Sequence, residues 1–453
     1  MTIKLGFYGA AETVTGSKFL LEHDRHQLLI DCGLFQGYKQ IRARNWAELP
    51  FSARSLDAVV LTHAHIDHSG ALPLLTRAGF GGRIHATAGT RGLCEILLPD
   101  SARLHEADAE YANRKGFSKH KPALPLYTER DARDALARFT THRFAQPFEP
   151  ARGFQASFIR AGHILGAASV LVKADEQTLL FSGDLGRPND WLIREPAPRQ
   201  PTDYLVLEGT YGNRHHDPTD PGEALAGIIS RTAARGGTVL IPAFSVGRTQ
   251  SLLLLLDNLR RARRIPPLPI YMDSPMAISA TELYRHHTAT HRLDPEACER
   301  MCSAATYVRE VEDSKALDQR DDPFILISAS GMATGGRVVH HLRRFVGDAR
   351  ATVLFAGFQA GGTRGAKLLA GADRIRIHGQ WFEVRAEIAN LDMLSAHADQ
   401  DELLAWLRSS DRAPRRTFIV HAELEAAEAL RVRIEDELGW TVEVPEYRDT
   451  VDL

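Results

Sequence analysis

Apolar and polar positions alternate with a period of two over residues 3–8, and residues 17–22 and 27–33 are further strand-like runs. That period puts successive side chains on opposite faces of a strand. The polar turn His23-Asp24-Arg25 folds the last two runs into a hairpin. The unbroken run Ala58-Val59-Val60-Leu61 suits a strand buried on both faces. Further strands are expected near residues 82–87, 155–160, 168–172, 178–182 and 204–208. Helical spacing runs over 68–77, over a long stretch of about 90–115, and over 129–139. Between Asn213 and Ala372 the texture changes. Three times an apolar strand runs into a loop of small residues and then a helix, starting at Val239, Phe324 and Val353. Such units wind around a parallel sheet. Period-two runs return at 375–378 and 382–388, followed by helix, strand, helix and strand up to Val444. The expected fold class is therefore α/β, with residues 1–208 and 373–453 forming one domain and residues 209–372 an insert.

What ends these strands carries the chemistry. The run 58–61 ends in Thr62-His63-Ala64-His65-Ile66-Asp67-His68, three imidazoles and a carboxylate within six residues. Imidazole nitrogen and carboxylate oxygen suit a borderline divalent ion such as zinc. The spacing differs from H-E-x-x-H, which uses one helix face and one metal, so a loop is expected. Asp31 ends its strand just before Gly33 and is expected to orient a metal-bound imidazole from behind. His163 and Asp184 repeat the logic, each a ligand-type residue beside glycine at a strand end, and Asp184 is suited to bridge two ions. Glu208 and His421 also terminate strands. The three loops of the insert present Ser245, Gly247 and Arg248, then Ser330, Gly331 and Met332, then Gln359, Gly362 and Thr363. Hydroxyls, backbone N–H groups and arginine before a helix favour phosphate.

Charge adds little. Lys+Arg is 55 against 57 Asp+Glu, a net charge of −2, which argues against coating nucleic acid by charge alone. A metal-assisted nuclease remains compatible, because bound ions supply local positive charge. The four cysteines are scattered, with Cys298 and Cys302 at helical rather than zinc-ribbon spacing, so buried free thiols in a reducing compartment are expected. The start of the chain lacks the apolar core of a signal peptide, and the leucine run 252–256 is far short of a membrane span. A cytoplasmic protein without membrane contact is the expectation.

Taken together, Asp31, the His63-x-His65-x-Asp67-His68 cluster, His163 and Asp184 resemble the four successive motifs of the metallo-β-lactamase fold. Glu208, His378 and His397 resemble the three added motifs of its β-CASP branch, which processes nucleic acid. The resemblance spans essentially the whole chain and is closest to the smaller bacterial ribonucleases. It implies an αββα sandwich with an inserted β-CASP domain, and a di-zinc ribonuclease acting on single-stranded RNA, with manganese as the alternative ion. It assigns His63, His65 and His163 to one zinc, Asp67, His68 and His397 to the second, and Asp184 to the bridge. Asp67 and Asp184 would serve catalysis through these ions, Glu208 would pair with His378 as general acid, and His421 would support the ligands from behind. A histidine at the last motif, read as His397, goes with RNA rather than DNA. The competing classes are a lactamase-fold hydrolase of a small ester or thioester, which has no use for the insert, and a DNA-directed nuclease. A non-catalytic scaffold would have lost ligands. Cutting mode, RNA target, protein partners and assembly as monomer or homodimer are not legible.

Overall fold

A computed structural model describes residues 3–116, 118–357, 359 and 361–453. The chain divides into two compact units, residues 1–215 with 397–453, and residues 216–396.

The first unit is built on two seven-stranded sheets. One runs in the order Thr450–Asp452, Lys4–Phe7, Phe19–His23, His26–Ile30, Ala58–Val60, Arg83–Thr87, Phe139–His142. Its first four strands pair antiparallel and the rest parallel. The other runs Val442–Glu443, Arg416–Val420, Tyr204–Glu208, Gln177–Phe181, Ala168–Ala174, Phe154–Arg160, Phe148–Ala151. The alternation read from the sequence appears here as one buried layer. Leu5, Phe7, Leu21, Leu28, Ile30 and Val60 of the first sheet share a core with Phe158, Val170, Val172, Phe181, Val206 and Phe418 of the second. Two sheets packed face to face through alternating apolar positions form a sandwich. Tyr204–Glu208 pairs parallel with both Gln177–Phe181 and Arg416–Val420. The Glu208, Ser182 and His421 ends therefore come to one edge.

The helix Ala88–Lys115 matches the expected long helix. Thr87 caps its start by accepting from Thr90 N–H, and Gly116, in the left-handed conformation, ends it. The expected helix at 68–77 forms as two pieces, Ile66–Ser69 and Leu72–Arg77, separated by Gly70 and Ala71. All four cysteines are buried and free. No helix among the described residues is long and apolar enough to cross a membrane.

The second unit holds a six-stranded sheet in the order Thr306–Tyr307, Ile270–Asp273, Ile325–Ser328, Val239–Pro242, Thr352–Phe355, Glu387–Asn390, parallel throughout. The three strand–loop–helix units read from the sequence supply its central strands. Its end lies beyond the expected 372. Glu387–Asn390 pairs in register with Thr352–Phe355. Arg374–Ile377 and Gln380–Glu383 form a hairpin of their own, and Ile375 and Ile377 join the core of this unit with Val353 and Leu368. A period of two says that a segment is a strand; it does not say which sheet will take it.

One buried polar knot holds this unit. His341 donates from Nε2 to Asp273 and from Nδ1 to Asp318, both at 2.7 Å, and Asp273 also accepts from Ser314 and Arg337. Burial acts to lower the His341 pKa from 6.5, but its hydrogen bonds to the two carboxylates outweigh this and raise it. A raised histidine contributes stability that is fully present below pH 6.5 and is lost as the pH climbs through the elevated value. Wild type should therefore melt above His341→Gln by its widest margin near pH 6. A buried charged hydrogen bond is worth about 1.5–3 kcal/mol, hence several degrees. Calorimetry at fixed zinc from pH 6 to 9 checks this, and a margin that widens with pH would contradict it.

Candidate metal centre

Residues 63–65 leave the Ala58–Val60 strand as the expected loop, but Asp67 and His68 already lie in the short helix Ile66–Ser69, and the segment is fixed through its own carbonyls. Ser17 N–H donates to Asp67 O, Cys32 N–H to His68 O, and Leu34 N–H to Ile66 O, at 2.7–2.9 Å. Gly33 passes so close that a Cβ there would lie 1.6 Å from Asp67 O. Only glycine allows this approach. His163 follows Gly162 and Asp184 follows Gly183, both glycines at positive φ. These turns re-aim the chain where each strand ends.

The side chains converge as two sets. His63 Nε2 and His163 Nε2 each lie 3.1 Å from His65 Nδ1. Asp184 Oδ2 is 3.4 Å from His63 Nε2 and 3.5 Å from His163 Nε2. Four donors held tetrahedrally at about 2.0–2.1 Å from one ion sit roughly 3.3 Å apart. The set has the edge lengths of a zinc site. On the other side, Asp184 Oδ1 is 3.2 Å from His68 Nε2, and Asp67 Oδ2 is 3.4 Å from His421 Nε2. Asp184 Oδ1 is buried, and none of the described residues donates a hydrogen bond to it. A carboxylate with one oxygen toward each set fits a bridge between two cations, and the donor chemistry fits zinc.

Electrostatics agrees. Burial lowers His63 to about 3 and His65 to about 4, and holds His163 well below its ordinary value. These rings are neutral at pH 7, with lone pairs available to a metal. Burial opposes ionisation of Asp67 and Asp184, but hydrogen bonding from His421 to Asp67, and the His421 and His68 charges beside Asp184, hold both carboxyls below their usual range. His68 is raised, since Asp184 and Asp31 together outweigh its burial.

Asp31 lies behind His68. Its Oδ2 faces His68 Nδ1 at 2.8 Å, and Thr62 binds both its oxygens through N–H and hydroxyl. Its φ is +59°, as uncommon for an L residue as the +51° of His421. Such a partner orients the imidazole and raises its basicity. At a zinc held by Asp67, His68 and His421, Asp31→Ala should weaken binding by about 10- to 100-fold while sparing an ion held by His63, His65 and His163. Chelator competition would show two binding steps separating in affinity; unchanged steps would count against this role for Asp31.

Two histidines differ from their expected places. The group beside Asp67 and His68 that could hold an ion is completed by His421, whereas His397 stands with Asp184 and Glu208. His421 ends the Arg416–Val420 strand, and its Nδ1 lies 2.9 Å from Thr210 Oγ1. His397 instead faces Glu208, Nδ1 to Oε1 at 3.2 Å. Glu208, buried at the end of its strand, also accepts from Leu185 N–H and Thr210 N–H. Burial lowers the His397 pKa, but the Glu208 carboxylate outweighs it and raises the ring to about 9. The expected Glu208–His378 pair is not among these contacts. His378 lies in the other unit, exposed at the turn of the 374–383 hairpin, its ring 4.7 Å from that of His340. With Arg337, Arg364 and Gly336 these two histidines line an open cleft of about 400 Å³. Sequence reasoning missed Ser17, whose hydroxyl is 3.3 Å from His68 Nε2, and Thr210. No pattern in the sequence marks either.

The expected phosphate loops stand side by side in the second unit. Gly247 leads into the helix Arg248–Arg261, and Ser245 is nearly buried against Ser274. Ser330 meets Thr334 through their hydroxyls, and Gly331 packs against Phe244. Met332 O accepts from Gly365 N–H, and Gln359 donates to Gly331 O and Gly357 O. Gly362 is exposed at positive φ, and Thr363 caps the helix Arg364–Leu369. Phe358 and Ala360 of this loop lie outside the described residues.

Known proteins resemble the chain along its length. Residues 14–272 match the metallo-beta-lactamase superfamily, residues 249–368 the Beta-Casp domain, and residues 381–445 the Zn-dependent metallo-hydrolase RNA specificity domain. Ribonuclease TTHA0252 of Thermus thermophilus is 35% identical over 93% of this chain and 94% of its own. The transcription termination factor FttA of Pyrococcus abyssi is 28% identical over 100% of this chain and 71% of its own. An RNase J-like protein of Methanocaldococcus jannaschii is 27% identical over 93% of both chains. A crystal structure of a protein of unknown function from Enterococcus faecalis superposes over 100% of both chains with a TM-score of 0.56 at 13% identity, a likeness of fold alone.

Proposed function

The chain belongs to the metallo-β-lactamase superfamily, among its β-CASP ribonucleases, and from that premise we propose that it hydrolyses phosphodiester bonds of single-stranded RNA at a two-zinc centre. The observation that carries this reading is Asp184 facing one donor set with each oxygen, with the Glu208–His397 pair set against the same carboxylate, His397 Nδ1 lying 4.0 Å from Asp184 Oδ2.

On this reading His63, His65, His163 and Asp184 hold one ion, and Asp67, His68, His421 and Asp184 hold the other. When bound, the ions lower the pKa of water from ~15.7 to about 7 and neutralise charge developing on the scissile phosphate. Asp31 and Thr210 keep the rings of His68 and His421 turned toward the centre. Glu208 fixes one nitrogen of His397 and keeps the ring protonated, so the other nitrogen can deliver a proton to the leaving oxygen. The role expected of His378 passes in this reading to His397. The RNA specificity domain match and the ribonuclease relative support RNA over DNA.

The test is turnover of an end-labelled single-stranded RNA beside a DNA of the same sequence, with zinc, with manganese and after chelation. RNA should be cut, DNA spared, and cutting should stop without metal. Hydrolysis of a thioester with RNA left intact would overturn the proposal.

A further inference from the structure

Residues 36–46 form an excursion with no packing reason for its composition. Its two short helices, Lys39–Ala43 and Arg44–Trp46, bury no residue. Yet Tyr38 is 66% exposed and Trp46 63% exposed. Its charges are Lys39, Arg42 and Arg44, with no acid before Glu48, on a chain whose net charge is −2. The excursion is nonetheless held. Asn45 closes its base, accepting from Phe35 N–H at 2.9 Å and donating to Phe35 O at 2.8 Å. Arg44 lies over the rings of Phe35 and Tyr447. A mobile tail would need neither clasp.

Its root is the backbone that carries the metal ligands. Leu34 N–H binds Ile66 O, and Cys32 N–H binds His68 O. Four residues reach at most about 14 Å from Leu34 to Tyr38. Exposed aromatic faces set among cations are what single-stranded nucleic acid binds, bases stacking on rings while cations follow phosphates. A second copy of the chain fits less well, because a twofold contact through this loop sets cations against cations.

We propose that residues 36–46 are a base-stacking platform for single-stranded RNA beside the metal centre, with Tyr38 and Trp46 as stacking faces and Lys39 and Arg42 on the phosphates. This rests on the ribonuclease reading. It assigns to the first unit a hold on bases, separate from the phosphate loops of the second.

The test measures binding of a labelled twelve-nucleotide single-stranded RNA by anisotropy, using the full chain silenced by Asp184→Asn, with and without Tyr38→Ala and Trp46→Ala. An abasic ribose–phosphate strand of equal length serves as the second probe. Stacking is worth about 5- to 150-fold per base, so the double variant should bind RNA at least about tenfold more weakly. Its preference for RNA over the abasic strand should fall by the same factor, and Tyr38→Phe with Trp46→Phe should restore it. Equal loss for both probes, or unchanged RNA affinity, overturns the platform, as does a change in sedimentation alone, which would mark a self-association surface. Platform and ribonuclease reading fail separately. Loop-dependent binding with no cleavage by the unsilenced chain refutes only the latter; cleavage with loop-independent binding refutes only the former.

Discussion

Asp184→Asn should abolish most RNA hydrolysis, with turnover falling by about 10³-fold or more. Losing one electrostatic donor at an active site typically costs about 10²–10³-fold. Asp184 contributes to both donor sets at once, its two oxygens lying 3.2–3.5 Å from His63, His68 and His163. Asparagine keeps the volume, removes the negative charge and offers only one oxygen, so an amide N–H would face imidazoles where a cation should sit. Metal analysis of the purified variant should show fewer than two zinc ions per chain. Full zinc content with full activity would remove Asp184 from the bridging role.

The second large effect separates two histidines. His397→Ala should lower kcat by about 10²–10⁴-fold, the usual contribution of a positioned proton donor, and should leave zinc content at two. His421→Ala should lose one zinc, and its turnover should fall with that loss. His378→Ala should stay within about threefold of wild type. If His378→Ala were as damaging as His397→Ala while both retained zinc, the proton-donor assignment would have to return to His378.

The sequence made most of this centre legible because its ligands lie at strand ends. An apolar run that stops at a histidine or acid beside glycine is visible without any structure, and His63, His65, Asp67, His68, His163 and Asp184 are all brought together as that pattern implies. The same pattern marks His421, yet it cannot say which strand stands next to which. Only the parallel ladder of Tyr204–Glu208 with Arg416–Val420, Glu208 opposite Val420, carries His421 to the Asp67 side. His397 comes from a loop, tied by Ala398 N–H to Leu185 O, and so meets Glu208. Pairing of distant strands is a tertiary fact with no local signature. The end of the insert was obscured for the same reason, since alternating residues 382–388 would suit either sheet.

One consequence follows from the order in which the ligands occur along the chain. The donors of the first set are all present by Asp184, whereas the second set waits for His421, beyond the whole of the second unit. A growing polypeptide can therefore enclose one ion long before it can enclose two, and His397 also arrives late. Until residues 397–421 have been made and Arg416–Val420 has paired with Tyr204–Glu208, the nascent chain can complete neither the second donor set nor the Glu208–His397 pair. On the reading proposed here, an enzyme that cuts single-stranded RNA is inert while its second unit is being synthesised.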